Sequence, residues 1–276
     1  MPRNRFRPAA VLGAALAVTA LAACASTDAG TTPEGGSEAV LTIATGEPAY
    51  PPYVLDDEPE SGEGFESAVA YAVAAELGYD ADQVEWVRST FDQGIAPGAK
   101  NWDLNLQQFS ITPERAEAVD FSSSYYNANQ AVVAIEGSAA ADAESIADLQ
   151  DVRLGAMTGT SSLTALNEVI DPSSEALVFN SNDDLVLALQ NGQVDAIVVD
   201  LPTALYVSGA QLDGGVLIGQ LDGTADESEG WGFVLEKDSA LTADVTAAVD
   251  ALRADGTLDA LVQEWLTDGA DAPILD

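Results

Sequence analysis

The chain has 276 residues, with 46 Asp and Glu against nine Lys and Arg, no histidine, and a formal net charge of −37. So acidic a surface argues against nucleic acid, whose binders present basic patches, and against charge-driven adhesion to anionic lipid. The missing histidine removes Ser-His-Asp triads, Cys-His pairs and His-based zinc sites, and a single cysteine leaves no intramolecular disulfide.

Residues 1–23 read as a secretory leader. Arg3, Arg5 and Arg7 precede an Ala/Val/Leu run over 9–22 that is too short for a comfortable membrane span. The run ends in L-A-A-C, which resembles the lipobox of bacterial lipoproteins and would make Cys24 the lipidated first residue; ordinary cleavage nearby is the alternative. Residues 24–39 are small and polar with no apolar period, and read as a flexible tether. The expected location is extracytoplasmic, anchored to the cell membrane through Cys24. Without the leader, 46 acids face six bases: Arg88, Lys100, Arg115, Arg153, Lys237 and Arg253.

From residue 40 the pattern alternates. "VLTIAT" (40–45) predicts a strand, and the following segment puts Phe65, Ala68, Val69, Ala72, Val73 and Leu77 on one helical face. "QVEWVR" (83–88) and "DLNLQQ" (103–108) predict two more strands. Further strands are expected at 130–135, 152–157, 176–180 and 194–199, with helices at 144–149, 161–169, 182–190 and 202–208. Two helices, 240–254 and 257–267, end the chain on either side of Gly256. Strands alternating with helices mean an α/β fold with largely parallel sheets. Ligands of such sheets bind beyond the carboxyl ends of the strands, where "TGEPAYPPY", "MTGTSS" and "DLP" lie.

Each of these places has a plain structural reading. In "MTGTSS" (157–162), Ser and Thr can cap a helix; the same turn offers free N–H groups to a carboxylate or phosphate. It is not a P-loop, since no Lys follows. Asp200 can cap the helix that Pro202 opens, or present a carboxylate to a cation. Tyr50 and Tyr53 can form an aromatic wall or pack on the surface. Arg115 is harder to absorb. In "SITPER", Thr112 can cap and Pro113 suits the first helical position, so Arg115 stands where the helix dipole disfavours a cation. An anion between the two would relieve this, and a guanidinium fork suits a carboxylate; an ion pair with one of the acids is the alternative.

The segments "TGEPAYPPY", "FDQGIAPGAKNWDLNLQQFSITPERAEAVDFSSSYY", "LGAMTGTSS", "ALQNGQVDAIVVDLPTALY" and "ALRADGTLDALVQEWL" together resemble the polar amino-acid solute-binding proteins of ABC importers over about 40–268. The resemblance implies a two-lobed, periplasmic-binding-protein-like (Venus flytrap) α/β fold. Lobe one would be 40–126 plus 231–276 and lobe two 127–230, with crossings near Tyr125–Asn129 and Glu227–Trp231. It also implies roles. Arg115 would clamp the carboxylate of a free amino acid, with Ser110 and the N–H groups around Thr160 and Ser161. Asp200 would take the ammonium, helped by a carbonyl near Gln108. Tyr50 and Phe91 would sandwich the side chain, and Glu47 would select it.

No cofactor or metal is expected, and the partners implied are an amino acid and an ABC permease, with the protein acting as a monomer. Gln107, Gln108 and Phe109 depart from the family's small residues there, and Met157 replaces a Lys of some members, which disfavours an acidic ligand. A polar or basic amino acid is the expected ligand. A cyclohexadienyl-dehydratase-like lyase and an amino-acid-sensing receptor module are the alternatives on the same fold.

Overall fold

The computed structural model describes residues 39–224, 230–266 and 272–276. The leader, Cys24, the tether up to residue 38 and most of the expected second crossing (225–229) lie outside the described residues.

In chain order, β1 (Leu41–Thr45) leads to α1 (Phe65–Glu76), β2 (Val84–Arg88), α2 (Phe91–Ile95), β3 (Leu104–Asn105), α3 (Pro113–Ala118) and β4 (Asp120–Tyr126). Then follow β5 (Gln130–Ile135), α4 (Ile146–Leu149), β6 (Leu154–Met157), α5 (Ser161–Ala165), β7 (Leu177–Phe179), α6 (Asn182–Gln190), β8 (Ala196–Asp200), α7 (Leu201–Tyr206) and β9 (Gly215–Leu221). The chain ends with β10 (Trp231–Leu235), α8 (Thr242–Ala254), α9 (Thr257–Trp265) and β11 (Ile274–Leu275).

Two sheets result, ordered β2-β1-β3-β10-β4 and β11-β9-β5-β8-β6-β7. Each is parallel except for one strand: β10 runs antiparallel to β3 and β4, and β5 to β8 and β9. The expectation of largely parallel sheets therefore needs these two reversals. The helical crossovers α1 and α2 deliver parallel neighbours, whereas β5 and β10 follow passages from one sheet to the other.

The first sheet buries Leu41 and Ile43 against α1, α8 and α9 through Phe65, Val69, Val73, Val245, Val249 and Leu258. The second is covered on both faces. Val132 and Val198 face Leu149, Leu154 and Leu166, whereas Val133 and Ile197 face Leu185, Leu189 and Val207. Double burial explains why β5 and β8 read as continuous apolar runs rather than alternating ones.

The chain passes between sheets at 127–129 and again between β9 and β10. It also returns at its end, which corrects the assignment of 231–276 to one lobe: β11 pairs with β9, and Leu275 is buried in the second sheet's core. Gly219 makes room for that tail, since a Cβ there would sit 2.8 Å from the Pro273 carbonyl oxygen. The expected third strand shrinks to Leu104–Asn105.

Candidate functional site

The three strand-end segments converge. A cavity of about 420 Å³ is lined by Thr45–Tyr50, Tyr53, Glu66, Phe91, Gln107, Gln108 and Met157, closed on the far side by Asn180–Asp183. It adjoins a smaller one of about 60 Å³, lined among others by Phe91, Gln108, Arg115, Gln130, Thr160–Ser162, Asp200 and Trp231. Glu47 is exposed at the larger cavity, Tyr50 lines it, and Phe91 and Gln108 belong to both. Ser110 is in neither lining, but its hydroxyl lies 3.0 Å from that of Ser161.

Thr112 caps α3 by accepting the Arg115 N–H at 3.2 Å, with Pro113 in the first turn, so Arg115 sits where the sequence places it. Its guanidinium donates to the Ser110 carbonyl (2.7 Å) and, across the cleft, to the Gly159 carbonyl (2.7 Å), and lies 5.3 Å from the centre of the Phe91 ring. Burial lowers its pKa to about 10. Arg88, Arg153, Lys237 and Arg253 all form ion pairs, with Asp57, Asp195, Asp120 and Asp250. Among the described residues Arg115 forms none. In a chain with 46 acids, a half-buried fork left with only carbonyl partners is suited to an incoming anion. Opposite it, Thr160 caps α5 by accepting the Leu163 N–H at 3.3 Å, leaving the first N–H groups of that helix on the cleft side.

Asp200 does cap α7, accepting the Thr203 N–H at 2.9 Å, so the plain reading holds. It is also half-buried at the small cavity, and that burial raises its pKa; it accepts from the Thr203 hydroxyl (2.9 Å) and the Tyr53 hydroxyl (2.5 Å). Tyr53 is not surface packing: it lines the larger cavity, is 3% exposed and packs edge-on against Trp231. Tyr50 lines the larger cavity together with Asp183 of α6; burial first, and then the charge of Asp183, raise the pKa of its hydroxyl.

Glu66 was not legible as a site residue. An acid in the first turn of α1 is what the helix dipole favours, and nothing else marked it. It is 1% exposed and accepts from the Tyr125 hydroxyl, the Gln108 side-chain amide and the Gln108 N–H (2.8 Å). Burial outweighs these bonds and pushes its pKa up to about 7. The bonds hold Gln108 at φ +52°, a left-handed conformation uncommon outside glycine. Asp183, Gln130, Thr203 and Trp231 also line or support the site without a sequence signal.

Residues 41–268 match the family model for bacterial extracellular solute-binding proteins, family 3. The chain belongs to that family. It is 33% identical over 218 residues to an L-arginine-binding protein of Pseudomonas aeruginosa, covering 76% of this chain and 82% of that one. Among solved structures, an ancestral arginine-binding protein bound to arginine aligns with TM-score 0.68 at 29% identity, covering 83% of this chain and 98% of that one. An ancestral amino acid-binding protein described as a precursor of cyclohexadienyl dehydratase aligns with TM-score 0.66 at 29% identity, covering 83% and 95%.

In this family 3 solute-binding protein the three bulky departures are each taken up by the scaffold. Phe109 is fully buried beside Gly94, where a Cβ would lie 2.3 Å from its ring. Gln107 donates to Ser89 and to Asn105, both at 2.9 Å. Gln108 folds back on Glu66. No helix among the described residues is long and apolar enough to cross a membrane.

Proposed function

We propose that the protein binds a free amino acid between its two lobes and delivers it to an ABC permease by lobe closure. Lobe one is 40–126 with 231–266, and lobe two is 127–230 joined by the returning tail. The observation that carries this is the Arg115 fork, which has no carboxylate partner among the described residues and lines one cavity with the Thr160–Ser161 helix start and Asp200. An α-carboxylate and an α-ammonium on one carbon are complementary to that arrangement. Arg115, Ser110, Thr160 and Ser161 would hold the carboxylate, and Asp200 with a carbonyl near Gln108 the ammonium.

The side chain would enter the 420 Å³ cavity between Tyr50 and Phe91. Glu47, Glu66 and Asp183 contribute to that cavity's lining and no Lys or Arg does, which favours a cationic side chain of arginine or lysine type. The arginine-binding relatives support the same choice. In this role the protein would act as a monomer attached to the membrane through a lipidated Cys24.

A lyase reading draws on one observation, the cavity-lining Glu66 with its raised pKa. Both of its carboxylate oxygens, however, accept bonds from the protein's own donors, which suits positioning more than proton delivery. A thermal-shift screen against the free amino acids tests the binding reading, since a ligand of the native state raises Tm by mass action. A shift with arginine or lysine that disappears in Arg115→Ala supports it. No shift with any amino acid, or turnover of prephenate or arogenate, refutes it.

A further inference from the structure

Tyr53 belongs to the first lobe by every apolar contact it makes. Its ring lies in the core built on the first sheet and meets Trp231 at a centroid distance of 5.6 Å and an angle of 77°. Its hydroxyl leaves that core and reaches two groups of the second lobe, Asp200 Oδ1 at 2.5 Å and Thr203 Oγ at 2.9 Å. These contacts join groups of the chain itself, so their formation needs no ligand.

Proton bookkeeping gives them a direction. Tyr53 and Thr203 bring one hydroxyl hydrogen each. With Asp200 ionised, Tyr53 donates to Oδ1, which also accepts the Thr203 N–H, and Thr203 donates to Oδ2 at 2.9 Å. Oδ1 is then occupied by two donors, whereas Oδ2 keeps a free acceptor position. Both hydroxyl hydrogens are spent on Asp200, so the 2.9 Å approach of Tyr53 to Thr203 Oγ is a contact without a hydrogen, and the lobe-to-lobe hydrogen bond is Tyr53–Asp200.

We propose that Tyr53 is a positioning residue and closure latch. Its hydroxyl fixes the Asp200 carboxylate with Oδ2 free for the ligand's ammonium, and supplies lobe-to-lobe binding that populates the closed form before ligand arrives. The proposal rests on the two-lobe binding reading but not on which amino acid binds. A ligand that requires the closed form has its apparent affinity reduced by the fraction closed, so a latch of this kind raises affinity without touching the ligand.

The test replaces Tyr53 by Phe, which keeps the ring and its contact with Trp231. In the full chain carrying Cys24→Ser, spin labels at Glu76→Cys and Gln190→Cys, on exposed positions of α1 and α6, report the lobe-to-lobe distance in pulsed electron paramagnetic resonance. Without ligand, the protein with Tyr53 should show a closed component. Tyr53→Phe should lower the closed-to-open ratio about tenfold to a hundredfold, as expected for one hydrogen bond to a charged group. Thr203→Val, which removes the donor to Oδ2 but leaves the Tyr53–Asp200 bond, should shift it much less. Arginine affinity should fall with the closed fraction while Tm of the ligand-free protein moves little.

An unchanged distance distribution in Tyr53→Phe overturns the proposal, as does a ligand-free protein with no closed component. A fall in Tm alone, with the distribution kept, would make Tyr53 a packing residue and also overturn it. Failure of the function reading has a different signature: no amino acid would alter the distribution of either protein, whatever Tyr53→Phe does without ligand.

Discussion

Arg115→Ala is the sharpest perturbation of the proposed site, and the structure allows its size to be worked out. The guanidinium has five N–H donors, of which two are committed to the Ser110 and Gly159 carbonyls at 2.7 Å each. The guanidinium lies beside the Phe91 ring, and Arg115 lines the cavity that the Thr160–Ser161 helix start also lines. Removing one partner of a buried, hydrogen-bonded charge pair costs about 2–5 kcal/mol, which at about 1.4 kcal/mol per decade is roughly 30- to several-thousand-fold in Kd. The loss of the Gly159 contact adds to this by weakening closure. Isothermal titration of arginine or lysine into the wild type and the variant measures the ratio directly. Arg115→Lys keeps the charge but not the fork and should fall between the two. Binding by Arg115→Ala within about threefold of the wild type would refute the assignment of the carboxylate site, since so small a loss lies well below the cost of stripping a buried charge of its partner.

Glu66 gives a pH prediction. Its folded pKa of about 7 lies above its ordinary value, so the folded state holds that proton more tightly, and the stability it contributes is complete below about pH 4.5 and lost as pH rises to about 7. The loss approaches about 3 kcal/mol; urea unfolding should show it as a pH-dependent gap between wild type and Glu66→Gln, and parallel profiles would refute it. Asp200→Ala should weaken amino-acid binding by at least about thirtyfold and, by removing the α7 cap, cost about 1 kcal/mol of stability, read by titration and by unfolding. Gly219→Val should undock the tail, because a side chain there meets Pro273 and Leu275. Hydrogen exchange at the Gln220 amide, now bonded to the Pro273 carbonyl at 2.7 Å, should then accelerate.

Local chemistry decided what could be read without coordinates. Arg115 stood out because a cation at a capped, Pro-initiated helix start contradicts the dipole in a chain where cations are scarce. The doubly buried strands β5 and β8 showed as unbroken apolar runs. β4 did not, because "DFSSSYY" becomes a strand only through pairing with β10 and packing under α8, neither of which is local. β10 pairs on both sides with strands more than a hundred residues away, and β11 has only two residues beside a distant partner. Glu66, and the bond that Tyr53 makes to Asp200, were hidden for a different reason. Each residue satisfies a mundane local rule, an acid in a first helical turn and an aromatic residue beside prolines, while its function lies in which distant group it meets.

The two reversed strands explain why the distant groups meet where they do. β5 enters the second sheet directly after the first passage between lobes, antiparallel to β8, so its first residue Gln130 pairs with Asp200, the last residue of β8. β10 re-enters the first sheet antiparallel to β3, and its first residue Trp231 bridges to Ser110, just beyond the end of β3. Had either strand run parallel to its neighbours, the chain would have crossed at the amino ends of the sheets, and the loops carrying Ser110 and Asp200 would face away from the passage. Reversal brings the carboxyl ends of both sheets to the crossing segments. The residues proposed to hold the ligand therefore sit beside the crossings between lobes, with Trp231 packed edge-on against Tyr53. A change of lobe angle is thereby coupled, through direct packing and without any long pathway, to the carboxylate proposed to bind the ammonium.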